Sequence, residues 1–174
     1  MDDVDGALTW RQSGFAGKVY ELHRGETLVG TLRFQNAFGS RATAEIEGAR
    51  WTFKRMGFLR TRVTIRPADS QDDLAIFRNN TWTGGGTLEF PDGAAYRANT
   101  NFWHTQFEFV DQRDCPLVRY HMEQGLTKLN GGMEVLPAAA QLPERPWLMM
   151  LGWYLAVMMH SDDASAATVA AASV

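Results

Sequence analysis

The residues whose types and spacing suggest chemistry form a basic stretch in the first half of the chain: Lys54, Arg55, Arg60, Arg62 and Arg66. In an extended strand, Arg60, Arg62 and Arg66 would share one face, about 6.8 Å apart for every two residues. Each guanidinium could donate two hydrogen bonds to one phosphate, so this face could bind phosphoinositide headgroups or an anionic membrane surface. An ordinary solvated strand face is the commoner cause of such a pattern, because Glu45 and Glu47 share an outward parity and could pair with these arginines.

The other residue types that support catalysis or metal binding show no recognisable pattern. The histidines contain neither an i,i+4 pair nor the HExxH pattern of metal-binding helices; they are His23, His104, His121 and His160. The single cysteine, Cys115, excludes an intrachain disulfide and a cysteine-rich zinc site. The glycines at 84–86 precede a strand-and-turn pattern, which favours a turn or bulge over a phosphate loop. We therefore predict no catalytic residue, no metal and no cofactor.

Two further functions stay open on the sequence. A protein-interaction or oligomerisation module would use an exposed face of the predicted sheet. A small-ligand-binding protein or an enzyme would need a polar pocket, and the polar-aromatic segment Asn99–His104 is the place for it. The chemistry of an ordinary turn explains that segment equally well.

The composition limits the class of protein. The chain has 174 residues, which fits one domain with a sizeable core. A net charge of −3 argues against electrostatic binding of nucleic acid. The acidic residues Asp2, Asp3 and Asp5 are the opposite of the basic start of a signal peptide. We therefore expect a cytoplasmic protein, peripheral at a membrane if the basic stretch binds lipid.

A two-residue hydrophobic period from Leu8 to Val135 predicts antiparallel strands, each with one buried and one solvated face. The segment Ala42–Ile46 is typical, and Leu28 is expected on the same buried face as Leu32. Turn signals such as that at 91–93 separate the strands. About twelve strands recur every 8–12 residues or so, the spacing of a barrel or sandwich.

One apolar run, Pro146–Met159, predicts the only convincing helix, from about 143 to 160. The run is apolar on every side, so it must be enclosed. It spans about 21 Å against a hydrocarbon core of roughly 30 Å, which favours a buried core helix over a transmembrane span. Acidic residues then oppose the helix dipole, so the helix should stop near His160. The domain is expected to cover 1–163, and 164–174 to form a frayed or weakly helical low-complexity tail.

The strand count and the helix together predict the fold. A barrel of about twelve strands is too wide for side chains alone to fill, and a helix roughly 10–12 Å across could occupy its lumen. We therefore predict a mostly β protein, a closed antiparallel barrel with a hydrophobic C-terminal helix through its centre. Gly152 would let the helix backbone approach a bulky side chain of the barrel. The helix residues expected in the core are Trp147, Leu148, Leu151, Trp153, Tyr154, Leu155 and Met158.

This pattern resembles the tubby-like C-terminal superfamily, which includes tubby, LURP-one-related and phospholipid scramblase proteins. The resemblance is carried by Trp51–Gly57, by Phe107–Asp111, and by Met133–Val135 followed by Leu148–Val157. It implies a twelve-stranded barrel around a central helix. It also implies binding or scaffolding instead of catalysis, and tubby proteins bind phosphoinositides at membranes. The function expected is therefore a non-catalytic binding or scaffold module, with acidic phospholipid headgroups or another protein as partner.

Overall fold

The sheet closes on itself, because the first strand (Leu8–Ser13) pairs with the last (Leu129–Val135) as well as with the second (Val19–Arg24). The computed structural model describes residues 7–14, 18–37, 39–57, 61–80, 85–101, 103–125 and 128–172. Neighbouring strands are antiparallel and follow sequence order around the barrel, which confirms the predicted closed barrel of twelve strands. The strands are β1 (Leu8–Ser13), β2 (Val19–Arg24), β3 (Thr27–Phe34), β4 (Arg41–Ile46), β5 (Ala49–Met56), β6 (Arg62–Pro67), β7 (Ala75–Asn80), β8 (Gly85–Glu89), β9 (Ala95–Thr100), β10 (Gln106–Val110), β11 (Pro116–Gln124) and β12 (Leu129–Val135).

Alternation along the strands builds the core inside the barrel. In β4, the side chains at 42, 44 and 46 are buried, while Arg41 and Glu45 are exposed. Leu28 breaks the predicted alternation of β3, since its side chain is 51% exposed. The cause is a register shift: Leu22 pairs with Gly30, but His23 pairs with Leu28. Val29 is therefore an extra residue on β3 that forms a bulge, and beyond it the side chain of Leu28 points to the opposite face of the sheet from the one predicted.

The C-terminal helix α1 runs from Arg145 to Ala172, after a short 3-10 turn at Pro137–Ala139. Every residue of α1 from Trp147 to Met158 is buried, including each one expected in the core. The prediction that the helix stops near His160 is wrong, because the exposed segment 162–172 remains helical. Its alanines are the strongest helix formers, and this propensity outweighs the unfavourable placement of two aspartates.

Aromatic stacking fixes α1 within the barrel. Trp153 lies parallel to Trp10 of β1, with ring centroids 5.3 Å apart and planes 1° from parallel. Tyr154 stacks on Phe34 of β3 at 5.5 Å, and its hydroxyl donates to the Ser40 carbonyl at 2.5 Å. Such contacts add to the burial of large apolar surfaces. The helix is therefore held from different sides of the sheet.

The barrel has two ends that differ in their contacts with α1. At the proximal end, where α1 begins, Arg145 approaches Glu47 at 3.4 Å. At the distal end, where α1 leaves, Arg55 donates to Asp162 at 2.6 Å and His104 contacts Asp163 at 3.0 Å. Among the helices of the described residues, none combines the length and apolarity that a membrane crossing requires.

Candidate functional site

The structure separates the residues of the predicted basic stretch. Lys54 and Arg62 are exposed on the outer face, near the distal end. Arg55 shares the inward parity of Phe53 and contacts α1 at the barrel rim. Arg66 lies towards the proximal end and donates to Asp73 at 2.5 Å. Arg60 lies outside the described residues. The stretch is therefore not one continuous surface.

The expected pairing of these arginines with Glu45 and Glu47 does not occur among the described residues. Strand β5 separates β4 from β6. Glu45 lies opposite Arg50, and Glu47 contacts Arg145. Among the described residues, neither glutamate therefore pairs with an arginine of β6, and Arg66 pairs with Asp73 instead.

Strand register instead creates a basic belt on the outer face of β3 to β6, made of Arg33, Arg41, Lys54 and Arg62. Arg41 lies directly opposite Lys54. Arg33 is diagonal to Arg41, since its own partner is Thr43. Arg62 is diagonal to Lys54, whose partner is Thr64. Direct neighbours have Cβ atoms about 5 Å apart and diagonal neighbours about 7–8 Å apart, so the four cations form a continuous row.

The belt is exposed, and the acidic residues diagonal to Arg33, Glu21 and Glu45, form no ion pair with it among the described residues. All of its residues are exposed. Among the described residues, none forms an ion pair with a belt residue, whereas the adjacent Arg78 pairs with Glu89 at 2.7 Å. Arg78 lies directly opposite Arg62 and so extends the basic surface. Like charges directly opposite each other are destabilising, so the fold alone does not favour this arrangement.

A second cluster of charge marks the rim where α1 leaves the barrel. Lys18 donates to the Ser161 hydroxyl at 3.1 Å. Partial burial lowers the pKa of Lys18 and the nearby Arg55 lowers it further, while Asp162 raises it. The hydrogen bond from Lys18 to Ser161 and the ion pair between Arg55 and Asp162 together fasten the helix to the rim.

The polar pocket expected near Asn99–His104 corresponds in part to a groove in the structure. A groove of about 400 Å³ lies beside Asn99 and Asn101 on the outer face. Asn101 is occupied within its own loop, since its side chain bonds to Thr105 and to two backbone N–H groups. The charged lining residues, Glu108 and Arg119, pair with each other at 3.2 Å. Among the described residues that line it, the groove thus has no convergent acid and base.

Metal binding finds no support in the part of the chain that the structure describes. There, no group of three or more histidine, cysteine, aspartate or glutamate side chains could hold an ion. His104 contacts Asp163, and His23 contacts Glu21 at 3.1 Å. These histidines serve in pairwise contacts with one carboxylate each.

The sequence-based search missed Arg33 and Arg41, which belong to strands other than that of the basic stretch. A usable signal existed for Arg41. Counting outward from the turn at Glu47 and Gly48 pairs Arg41 with Lys54, as the structure does. Comparison of the chain with protein-family models, with curated proteins and with solved structures gave no match.

Proposed function

We propose that the protein is a non-catalytic binding module that recognises anionic phospholipid headgroups through its basic belt. The observation that carries the proposal is the direct opposition of Arg41 and Lys54, exposed and without an acidic partner among the described residues. A phosphate placed between two such cations would relieve their repulsion and accept hydrogen bonds from both.

The arrangement suits a membrane surface better than a buried ligand site. The belt is convex and follows the outside of the barrel, so a ligand bound there stays solvated on one side. Each cation near an anionic leaflet contributes about 1 kcal/mol, and the four belt residues together about 4 kcal/mol. That energy corresponds to weak, reversible association of the peripheral kind, at the millimolar level if the belt acts alone. The resemblance to tubby-like proteins points in the same direction.

Vesicle co-sedimentation tests the proposal. The protein should bind vesicles of phosphatidylcholine with phosphatidylserine or a phosphoinositide more strongly than phosphatidylcholine alone. Replacing Arg41 and Lys54 together by Gln should weaken this binding about 30-fold, because two contributions of about 1 kcal/mol are lost. Binding without preference for anionic lipid, or unaffected by the double substitution, would refute the lipid role.

Arg50→Gln provides the matched control. Arg50 is an exposed cation of the same strand as Lys54, but it lies near the proximal end and opposite Glu45. Its loss changes the net charge by one unit outside the belt. Binding should therefore stay within about twofold of the unmodified protein, the change expected for a cation outside the contact.

A further inference from the structure

The two ends of the barrel differ sharply in charge. Every segment that joins strands at the proximal end contains an acidic residue, and so does the segment that leads into α1; these residues are Glu26, Glu47, Asp69, Asp72, Asp73, Asp92, Asp111, Asp114 and Glu144. The segments that join strands at the distal end contain no aspartate or glutamate in their sequences. All belt residues lie within two residues of the distal ends of their strands, about 7 Å at most. The connections at the proximal end are therefore acidic, whereas those at the distal end lack acidic residues and lie beside the basic belt of β3 to β6. The acidic residues that α1 brings to the distal end, Asp162 and Asp163, contact Arg55 and His104 there.

The distal end also exposes large apolar side chains. Trp103, in the segment between β9 and β10, is 74% exposed, and Met56, the last residue of β5, is 38% exposed. Tryptophan favours the interface between water and lipid, where its ring is buried among headgroups.

The projecting part of α1 is compatible with an interface at this end. After Asp163 the helix carries no charged side chain up to Ala172. The Ser165 and Thr168 hydroxyls already donate to the carbonyls four residues before them, each at 2.9 Å. Hydroxyls satisfied in this way have a reduced need for water. A membrane surface at the distal end can therefore accommodate the projecting part of α1 among its headgroups.

Building on the lipid-binding function proposed above, we propose that the barrel docks end-on. The distal end enters the membrane interface with Trp103 and Met56 among the headgroups, and the basic belt contacts the surrounding phosphates. The acidic proximal end then faces away from the bilayer, where like charge keeps it from the anionic surface. Charge and the exposure of Trp103, the most exposed of the large apolar side chains described, point to the same end, although Leu28 is exposed at the other.

The single cysteine offers a direct test of this orientation. Cys115 is exposed in the segment between β10 and β11, at the proximal end. A fluorophore on Cys115 should show no quenching by nitroxide-labelled lipids in vesicles of phosphatidylcholine and phosphatidylserine. The variant Cys115→Ser with Asn36→Cys moves the same fluorophore to an exposed position at the distal end. That label should be strongly quenched and blue-shifted.

The outcomes separate the orientation from the function. Quenching at Cys115 but not at Asn36→Cys would overturn end-on docking while leaving lipid binding intact. The absence of quenching at both sites, despite co-sedimentation, would mean side-on contact and would also overturn it. If the protein does not sediment with any vesicle, the lipid-binding function fails and the orientation with it; an acidic protein surface would then be the alternative partner of the belt.

A pair of substitutions supplies a second readout. Trp103→Ser together with Met56→Ser should weaken vesicle binding about tenfold, since inserted apolar surface is lost. Leu28→Ser is the matched control, because Leu28 is an exposed apolar side chain (51%) at the proximal end. Its binding should equal that of the unmodified protein. Equal effects of the two changes would contradict the proposal.

Discussion

Tyr120 of β11 occupies the space that a side chain at Gly152 of α1 would need. A Cβ built on Gly152 would lie 2.2 Å from Cζ of the Tyr120 ring. The Tyr120 hydroxyl reaches over the helix backbone and donates to the carbonyls of Leu148 and Met149, at 2.9 and 3.0 Å. The glycine thus lets the helix approach the wall closely enough for the hydroxyl to be satisfied, although both residues are buried.

Gly152→Ala should therefore lower the free energy of unfolding by about 1–3 kcal/mol. In an exposed helix the same change would stabilise by about 1 kcal/mol, so the sign of the effect reports the close approach. Urea denaturation measures it. Gly132→Ala is the control, since a Cβ there has no heavy atom within 4 Å. A stabilising Gly152→Ala substitution would contradict the described packing.

Leu151→Asp should abolish the folded state. Leu151 is fully buried within the barrel, where an ionised carboxylate would have neither water nor a partner. Such a charge costs more than the roughly 5–15 kcal/mol that stabilises a domain. Truncation before Pro146 should have the same result, because it empties the lumen. Circular dichroism and thermal unfolding provide the measurement, and cooperative unfolding of the truncated chain would refute the role of α1 as the barrel's core.

Removal of residues 164–174 should leave stability almost unchanged, within about 1 kcal/mol. The described side chains of this segment are exposed, and the described polar contacts between α1 and the distal rim are made by Ser161, Asp162 and Asp163, all before it. Thermal unfolding compares the shortened and full-length chains. A fall in the midpoint of more than about 4 °C, which corresponds to a loss of about 1–2 kcal/mol in a domain of this size, would show that the segment stabilises the barrel.

The fold could be predicted because two periodicities dominate the sequence. Alternation in segments such as Ala42–Ile46 defines strands, and the unbroken apolar run at 146–159 has no place except inside them. The bulge that exposes Leu28 could not be predicted, because it arises from a register shift between neighbouring strands. The charge pattern does not predict the helical segment beyond His160, because the helix propensity of its alanines outweighs the unfavourable effect of Asp162 and Asp163.

All four tyrosines should resist ionisation in the folded protein. Burial raises the pKa of Tyr20 to about 12 and that of Tyr120 well above 10. Burial also raises the pKa values of Tyr154 and Tyr96, the latter further by its hydrogen bond to Glu144. Tyrosinate absorbance should therefore stay low near pH 10 in the native protein and appear there in urea. Native-state titration near pH 10 without unfolding would contradict this burial.

The same increases in tyrosine pKa make the free energy of unfolding fall in alkaline solution. Above pH 10 the unfolded chain loses tyrosine protons that the folded chain retains, so the free energy of unfolding decreases as pH rises towards 12 and beyond. The tyrosine contribution is fully present below pH 10. Lys18 acts in the opposite sense, because its lowered pKa makes stability rise as pH approaches 10.5. One lysine opposes four tyrosines, so urea denaturation should show a net loss.

The candidate site was less predictable than the fold because it depends on the pairing of separate strands. Lys54 and Arg62 are recognisable within one stretch of sequence, but Arg33 becomes their neighbour only through the register of β3, β4 and β5. Arg55 has the right charge and the wrong parity: it shares the inward facing of Phe53 and serves the helix. Parity and register therefore decide which cations are available to a ligand.

Arg41→Gln should stabilise the free protein while weakening its binding to anionic vesicles. The substitution removes repulsion from Lys54, directly opposite, and from Arg33 on the diagonal. The free energy of unfolding should rise by about 0.3–0.5 kcal/mol at low salt. The gain should shrink in 0.5 M NaCl, where the screening length is about 4 Å. Arg50→Gln should not raise stability, since Arg50 faces Glu45 and loses an attraction. A loss of stability for Arg41→Gln at low salt would contradict this prediction. It would mean that Arg41 makes stabilising contacts within the protein, so that the presence of the belt would be explained without a ligand.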